Sequence, residues 1–172
     1  MGDPPEHDLV LEVDGGFRIN SGVGSFGYVA LGPFNNVLYE ECGLLPGKSS
    51  SNEAEGHAIL KALEFAKDLA YPRKIEVRSD SKNWIRNLQN QNSFSKSVAL
   101  NDLSGKLQEL SESFDLVDWL WVPRKWLRHS HELASAAFLN ERKNAAIRKI
   151  KRSDFECMPM SHRYAEKAGW ND

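Results

Sequence analysis

Apolar and polar residues alternate along 9–13 (LVLEV) before the chain runs into Asp14-Gly15-Gly16, which predicts a strand closing in a turn. Residues 21–27 (SGVGSFG) read as a glycine-rich loop and 28–31 as a second strand. Asn35-Asn36 signals a hairpin into a third strand over 37–42. Three antiparallel strands therefore open the domain.

The period then changes from two to that of a helix. Ala54, Ala58, Ile59, Ala62, Leu63, Ala66 and Leu69 recur along one face and predict an amphipathic helix over about 53–69. Ser51 and Asn52 suit its N-cap, Glu53 and Glu55 suit its first turn, and Pro72 stops it. A strand follows at 75–78 and ends in Ser79-Asp80-Ser81, which caps a short helix carrying Trp84, Ile85 and Leu88. After a polar loop at 89–96 come a helix over 100–110 and a final strand over 114–122, with Trp119 and Trp121 on one side. A last helix starts near His129 and carries Leu133, Ala134, Ala137 and Phe138. This order predicts an α/β fold: a mixed sheet with an antiparallel opening and parallel additions, flanked by helices.

Composition refines the picture only slightly. The 172 residues fit one domain with an extension, divided here into an N-terminal lead (1–7), the domain (8–140) and a basic C-terminal extension (141–172). The extension carries Arg142, Lys143, Arg148, Lys149, Lys151 and Arg152, which suit either a phosphate-binding track or a solvated helix face. Net charge is −2, so any nucleic-acid binding must come from local patches. No apolar run approaches the ~20 residues of a membrane span, and the acidic start lacks the pattern of a signal peptide. A cytoplasmic protein with no membrane contact and no evident obligate protein partner is expected. Cys42 and Cys157 show no paired spacing and read as free thiols.

Three acids carry the chemistry. Asp14 and Asp80 are placed at strand ends, and Glu55 in the first turn of the helix between them. Each has an ordinary explanation taken singly: a turn residue, a helix-dipole residue, a cap. Together, carboxylates at the ends of sheet strands and at a helix N-terminus can converge on divalent cations, which prefer hard oxygen ligands. Two such ions can activate a water and stabilise the leaving oxygen of a phosphodiester.

With these residues in place, the chain resembles ribonuclease H type 1 over about 8–140. The matching parts are Val13-Asp14-Gly15-Gly16 with the Gly22/Gly24/Gly27 segment and Tyr28, then Asn52-Glu53-Ala54-Glu55, then Ser79-Asp80-Ser81. The last is Trp119-Leu120-Trp121-Val122-Pro123-Arg124 leading to Glu132-Leu133-Ala134. The resemblance implies a five-stranded mixed sheet flanked by helices, two Mg²⁺ or Mn²⁺ ions, and cleavage of the RNA strand of an RNA–DNA hybrid. Position by position it implies Asp14, Glu55 and Asp80 as metal-binding catalytic acids. It implies Asn52, Gly15, Gly16, Ser81 and Lys82 as contacts to the hybrid, where the 2′-hydroxyl marks the RNA strand. Arg18 and Asn20 are looser phosphate candidates.

The sequence departs from the pattern in three places. The family's fourth acid is replaced by His131, whose neutral imidazole can also ligate a metal and makes the site one charge less negative. Glu132 is the alternative, but one helical step turns its side chain by ~100°, so His131 is preferred as the fourth catalytic and metal-binding residue. The connection over 123–128 is short and basic, and leaves His129 either a substitute for a loop histidine or a plain helix-start residue. The stretch 89–100 lacks a basic handle, which shifts hybrid affinity to Arg124, Lys125, Trp126, Arg128 and the extension; Trp126 could equally be core. A non-catalytic hybrid-binding module stays open as an alternative because of His131. A 3′–5′ exonuclease is disfavoured, because Asp14 is followed by glycines and not by an Asp-x-Glu pair.

Overall fold

The structure, a computed structural model, describes residues 6–69, 72–90, 93–94 and 96–139. The basic extension over 141–172, with Cys157, lies outside the described residues. Strands β1 (Leu9–Arg18), β2 (Val23–Leu31) and β3 (Val37–Leu44) are followed by α1 (Ser51–Asp68), β4 (Lys74–Ser79), α2 (Lys82–Asn90) and α3 (Val98–Ser111). The chain continues through β5 (Leu116–Trp121), a 3₁₀ turn (Arg124–Trp126) and α4 (Arg128–Leu139). The five strands form one sheet in the order β3-β2-β1-β4-β5. β1 pairs antiparallel with β2 and β2 with β3, whereas β4 runs parallel to both β1 and β5. The antiparallel opening and parallel additions are as the pattern predicts.

Alternation along β1 divides the two faces. Leu9, Leu11 and Val13 join Ala54, Ala58, Ile59, Ala62, Leu63 and Ala66 of α1 in the main core, with Trp84 and Leu107 beneath. Val10 packs on the other face with Val29, Leu31 and Leu133 of α4. Buried leucine-sized side chains each contribute about 1.5–3 kcal/mol by leaving water, so this continuous core holds the sheet flat against α1.

Two glycine readings need correction. Asp14-Gly15-Gly16 does not close a strand: β1 continues to Arg18, and Asp14 pairs with Gly27 in its middle. Nor is 21–27 a loop, since β2 starts at Val23. The glycines serve close approach. A β-carbon on Gly15 would lie 2.4 Å from the backbone of Ala54 and Glu55, and one on Gly27 would lie 2.5 Å from that of Ser130 and Ala134. Two helices thus cross the sheet at backbone contact on opposite faces. Gly22, with φ of 70°, makes the β1–β2 turn itself.

Smaller differences follow from capping. The N-cap of α1 is Ser50, not Ser51 or Asn52, in a capping box with Glu53. Ser97 caps α3, which starts at Val98, two residues before the predicted start. The hairpin at Asn35-Asn36 forms as predicted, with Asn35 at φ 59°. Trp126 is 65% exposed and is not core. Cys42 is a free thiol. His7, counted in the lead, is pinned to the sheet, its Nε2 2.6 Å from Asp118 Oδ2.

Candidate active site

Parallel pairing of β1 with β4 ends at Glu12 and Arg78. Beyond that point the strands separate, and Asp14 lies two residues past the last pair on β1, Asp80 two past it on β4. Glu55 comes from the first turn of α1, which Gly15 allows to sit against β1. That turn is anchored from beneath: the buried Trp84 donates Nε1–H to the Asn52 carbonyl at 2.7 Å. On the other face α4 brings His131, whose Nδ1 is 2.7 Å from Asp14 Oδ2. The 3₁₀ turn after β5 brings Arg124, 3.9 Å from Asp14, 3.8 Å from Asp80 and 3.1 Å from His131 Nδ1. Five elements therefore meet at the end of the parallel strands, where ligands bind in sheets of this kind.

Electrostatics in the cluster are uneven. Burial pushes the Asp14 carboxyl above its ordinary range, the His131 hydrogen bond opposes this, and the Asp80 charge adds to the rise. Burial also raises Glu55; its hydrogen bond with Ser81 opposes the rise, and the charges on Asp80 and Asp14 reinforce it. The Asp80 charge thus bears on both neighbours, and perturbed carboxyls of this kind cluster at functional sites. Among the described residues, no three His, Cys, Asp or Glu side chains stand together as a ready coordination shell. What joins Asp14 to Asp80 is the guanidinium of Arg124. The donor set nevertheless suits divalent cations: it is oxygen-rich, and it already holds one cationic group among its carboxylates.

Next to the cluster opens a cleft of about 460 Å³, lined by Asn52, Glu55, Asp80, Ser81, Lys82, Asn83, Trp121 and Arg124. Six residues singled out in the sequence line it. Asp14 and His131 adjoin it through Arg124. Gly15 and Gly16 are not among its lining residues; β-carbons there would meet α1 and, at Gly16, Ser25 and Phe138. Arg18 lies over the Phe138 ring, 4.4 Å from its centroid. Asn83 and Trp121 were missed. Trp121 donates Nε1–H to the Asp80 carbonyl at 3.0 Å and carries the Lys82 ammonium 4.6 Å from its ring centroid. Strand alternation placed Trp121 but could not show that it borders a cleft.

The two rival residues on α4 point elsewhere. Glu132 is exposed and bonds Arg128, one turn back, at 2.7 Å. His129 pairs with Glu40 of β3 at 2.7 Å and so ties the start of α4 to the sheet. Only His131 turns into the cluster.

Fold and site together define a ribonuclease H-like protein. The model of the family described as "Reverse transcriptase-like" matches residues 12–137, and the chain belongs to that family. It is similar to the N-terminal RNase H domain of Rv2228c from Mycobacterium tuberculosis, solved as a maltose-binding-protein fusion. The identity there is 28%, over 75% of this chain and 91% of that one, with a TM-score of 0.69. RNase H1 from the halophilic archaeon Halobacterium salinarum NRC-1 matches at 26% identity, 77% and 98% coverage, and a TM-score of 0.71. LC11-RNase H1, solved in complex with an RNA/DNA hybrid, matches at 25% identity, 75% and 95% coverage, and a TM-score of 0.68. No curated protein matches the sequence. Among the described residues, no helix is long and apolar enough to cross a membrane.

Proposed function

We propose that this protein is a metal-dependent endonuclease that hydrolyses the RNA strand of RNA–DNA hybrids in the cytoplasm. The observation that carries this reading is that Asp14, Glu55 and Asp80 lie within reach of one another's charge, with His131 on Asp14, beside a polar cleft lined by Lys82 and Arg124. Those four side chains would hold two Mg²⁺ or Mn²⁺ ions. When bound, the ions would supply an activated water and stabilise the leaving oxygen.

The chain's own residues do the remaining work. Asn52, whose backbone carbonyl accepts from Trp84, lines the cleft, where its amide would meet the minor groove of a hybrid. Ser81 and Lys82 reach the RNA strand, the one by hydrogen bonding and the other by charge. Arg124 faces the phosphates.

The test is cleavage of a labelled hybrid, single-stranded RNA and double-stranded RNA, each with Mg²⁺ or Mn²⁺, beside an Asp80→Asn control. Cleavage confined to the hybrid and lost in the control is expected. His131, in place of the family's usual acid, favours one alternative: a hybrid-binding module without catalysis. Tight hybrid binding with no cleavage in either cation would establish that alternative and refute the endonuclease.

A further inference from the structure

The position of Arg124 goes beyond a substrate contact. Its side chain is 62% exposed, yet its guanidinium approaches Asp14, whose side chain is 3% exposed, and Asp80. No carboxylate holds it bidentately: both ion pairs are near 4 Å and its single short contact is to His131 Nδ1. That contact is contested. The one nitrogen also faces Asp14 at 2.7 Å, and it serves one neighbour at a time. Protonated at Nδ1, His131 donates to Asp14 and offers Arg124 no acceptor; unprotonated there, it accepts from Arg124 and leaves Asp14 without a donor. Arg124 is therefore held by two long ion pairs and one nitrogen that it shares with Asp14, from a 3₁₀ turn at the rim.

We infer that Arg124 is an exchangeable counter-ion: its guanidinium neutralises Asp14 and Asp80 in the metal-free protein, and divalent cations must displace it to bind. This inference rests on the proposed metal site. Displaced, the guanidinium stays on the cleft wall with Lys82 and Asn52, where an incoming phosphate is the natural new partner. One residue thus links cation loading to substrate binding, because Arg124 is free for the phosphate only after the carboxylates have exchanged it for metal.

The experiment is calorimetric titration of Mn²⁺ into the full chain without nucleic acid, comparing wild type, Arg124→Gln and Arg124→Lys. Thermal melts of each variant in chelator would confirm folding. Removing a unit charge that competes for the same oxygens should tighten Mn²⁺ binding about tenfold in Arg124→Gln. Arg124→Lys, which keeps the charge, should remain within about threefold of wild type. Equal or weaker Mn²⁺ binding by a folded Arg124→Gln would overturn the inference while leaving the metal site intact. Absence of binding by all three would remove the site and the inference together.

Discussion

Nδ1 of His131 lies 2.7 Å from Oδ2 of Asp14, a contact that spans 117 positions of sequence and joins α4 to the sheet's central strand. The helical neighbour Glu132 is turned away to Arg128. His131→Ala should therefore lower kcat/KM on a hybrid by about 10- to 100-fold, the usual effect of losing a group that orients or supplements metal ligands. His131→Asp, which restores the acid that the family resemblance implies, should retain activity. Glu132→Ala should change little. Unaltered cleavage by His131→Ala would place the histidine outside the chemistry.

The acids should be a burden on the metal-free fold. Asp14 and Glu55 both have pKa values raised by burial, and in each the Asp80 charge adds to the rise. A carboxyl with a folded pKa above its unfolded one binds protons more tightly when folded, so stability falls as pH rises through the window between the two values. At neutral pH both groups impose that cost in full. In chelator, Asp14→Asn and Glu55→Gln should each raise Tm by a few degrees at pH 7, and the gain should shrink as pH falls toward the carboxylate range. Divalent cations should raise the Tm of wild type more than that of either variant. A lower Tm for both variants at pH 7 would contradict this.

Much of the fold was legible because its signals are local. The period-3.6 run from Ala54 to Leu69, the turn at Asn35-Asn36 and the alternation of β1 each depend on neighbouring residues only. Misreadings fell on Gly15, Gly16, Gly24 and Gly27. Glycine is equally compatible with a turn and with a strand crossed closely by a helix, and only the packed structure separates the two. The acids Asp14, Glu55 and Asp80 could be singled out because charge at such positions has few structural uses. Arg124's approach to both aspartates, and Trp121's place at the cleft, were not legible, since each depends on how far a 3₁₀ turn and an edge strand carry a side chain.

Gly27 tests the link between packing and site. A β-carbon there would stand 2.5 Å from the Ser130 carbonyl oxygen and the Ala134 nitrogen, and backbone cannot move aside as a side chain can. Gly27→Ala should push α4 off the sheet at the turn that carries His131. We expect a loss of about 1–3 kcal/mol in urea unfolding and a drop in cleavage comparable to His131→Ala. Gly47, whose β-carbon would meet nothing within 4 Å, tests backbone strain alone because its φ is 72°. Gly47→Ala should lose stability without losing activity per folded molecule.

Lys82 separates charge from shape in the cleft. Its ammonium lies over the Trp121 ring at 4.6 Å and lines the cleft beside Asn52 and Asp80. A lysine that neutralises one phosphate releases roughly one counter-ion on binding, which makes hybrid affinity fall more steeply with salt. Lys82→Ala should therefore weaken hybrid binding at low salt and reduce the slope of log K against log salt by about 0.9. The control is Lys61, paired with Glu64 on the exposed side of α1 at 3.5 Å. Lys61→Ala should leave the slope unchanged. An equal reduction in both variants would mean that the whole surface field, and not the cleft, attracts the nucleic acid. An unchanged slope in Lys82→Ala would remove Lys82 from the phosphate path and leave it as a cap on the Trp121 ring.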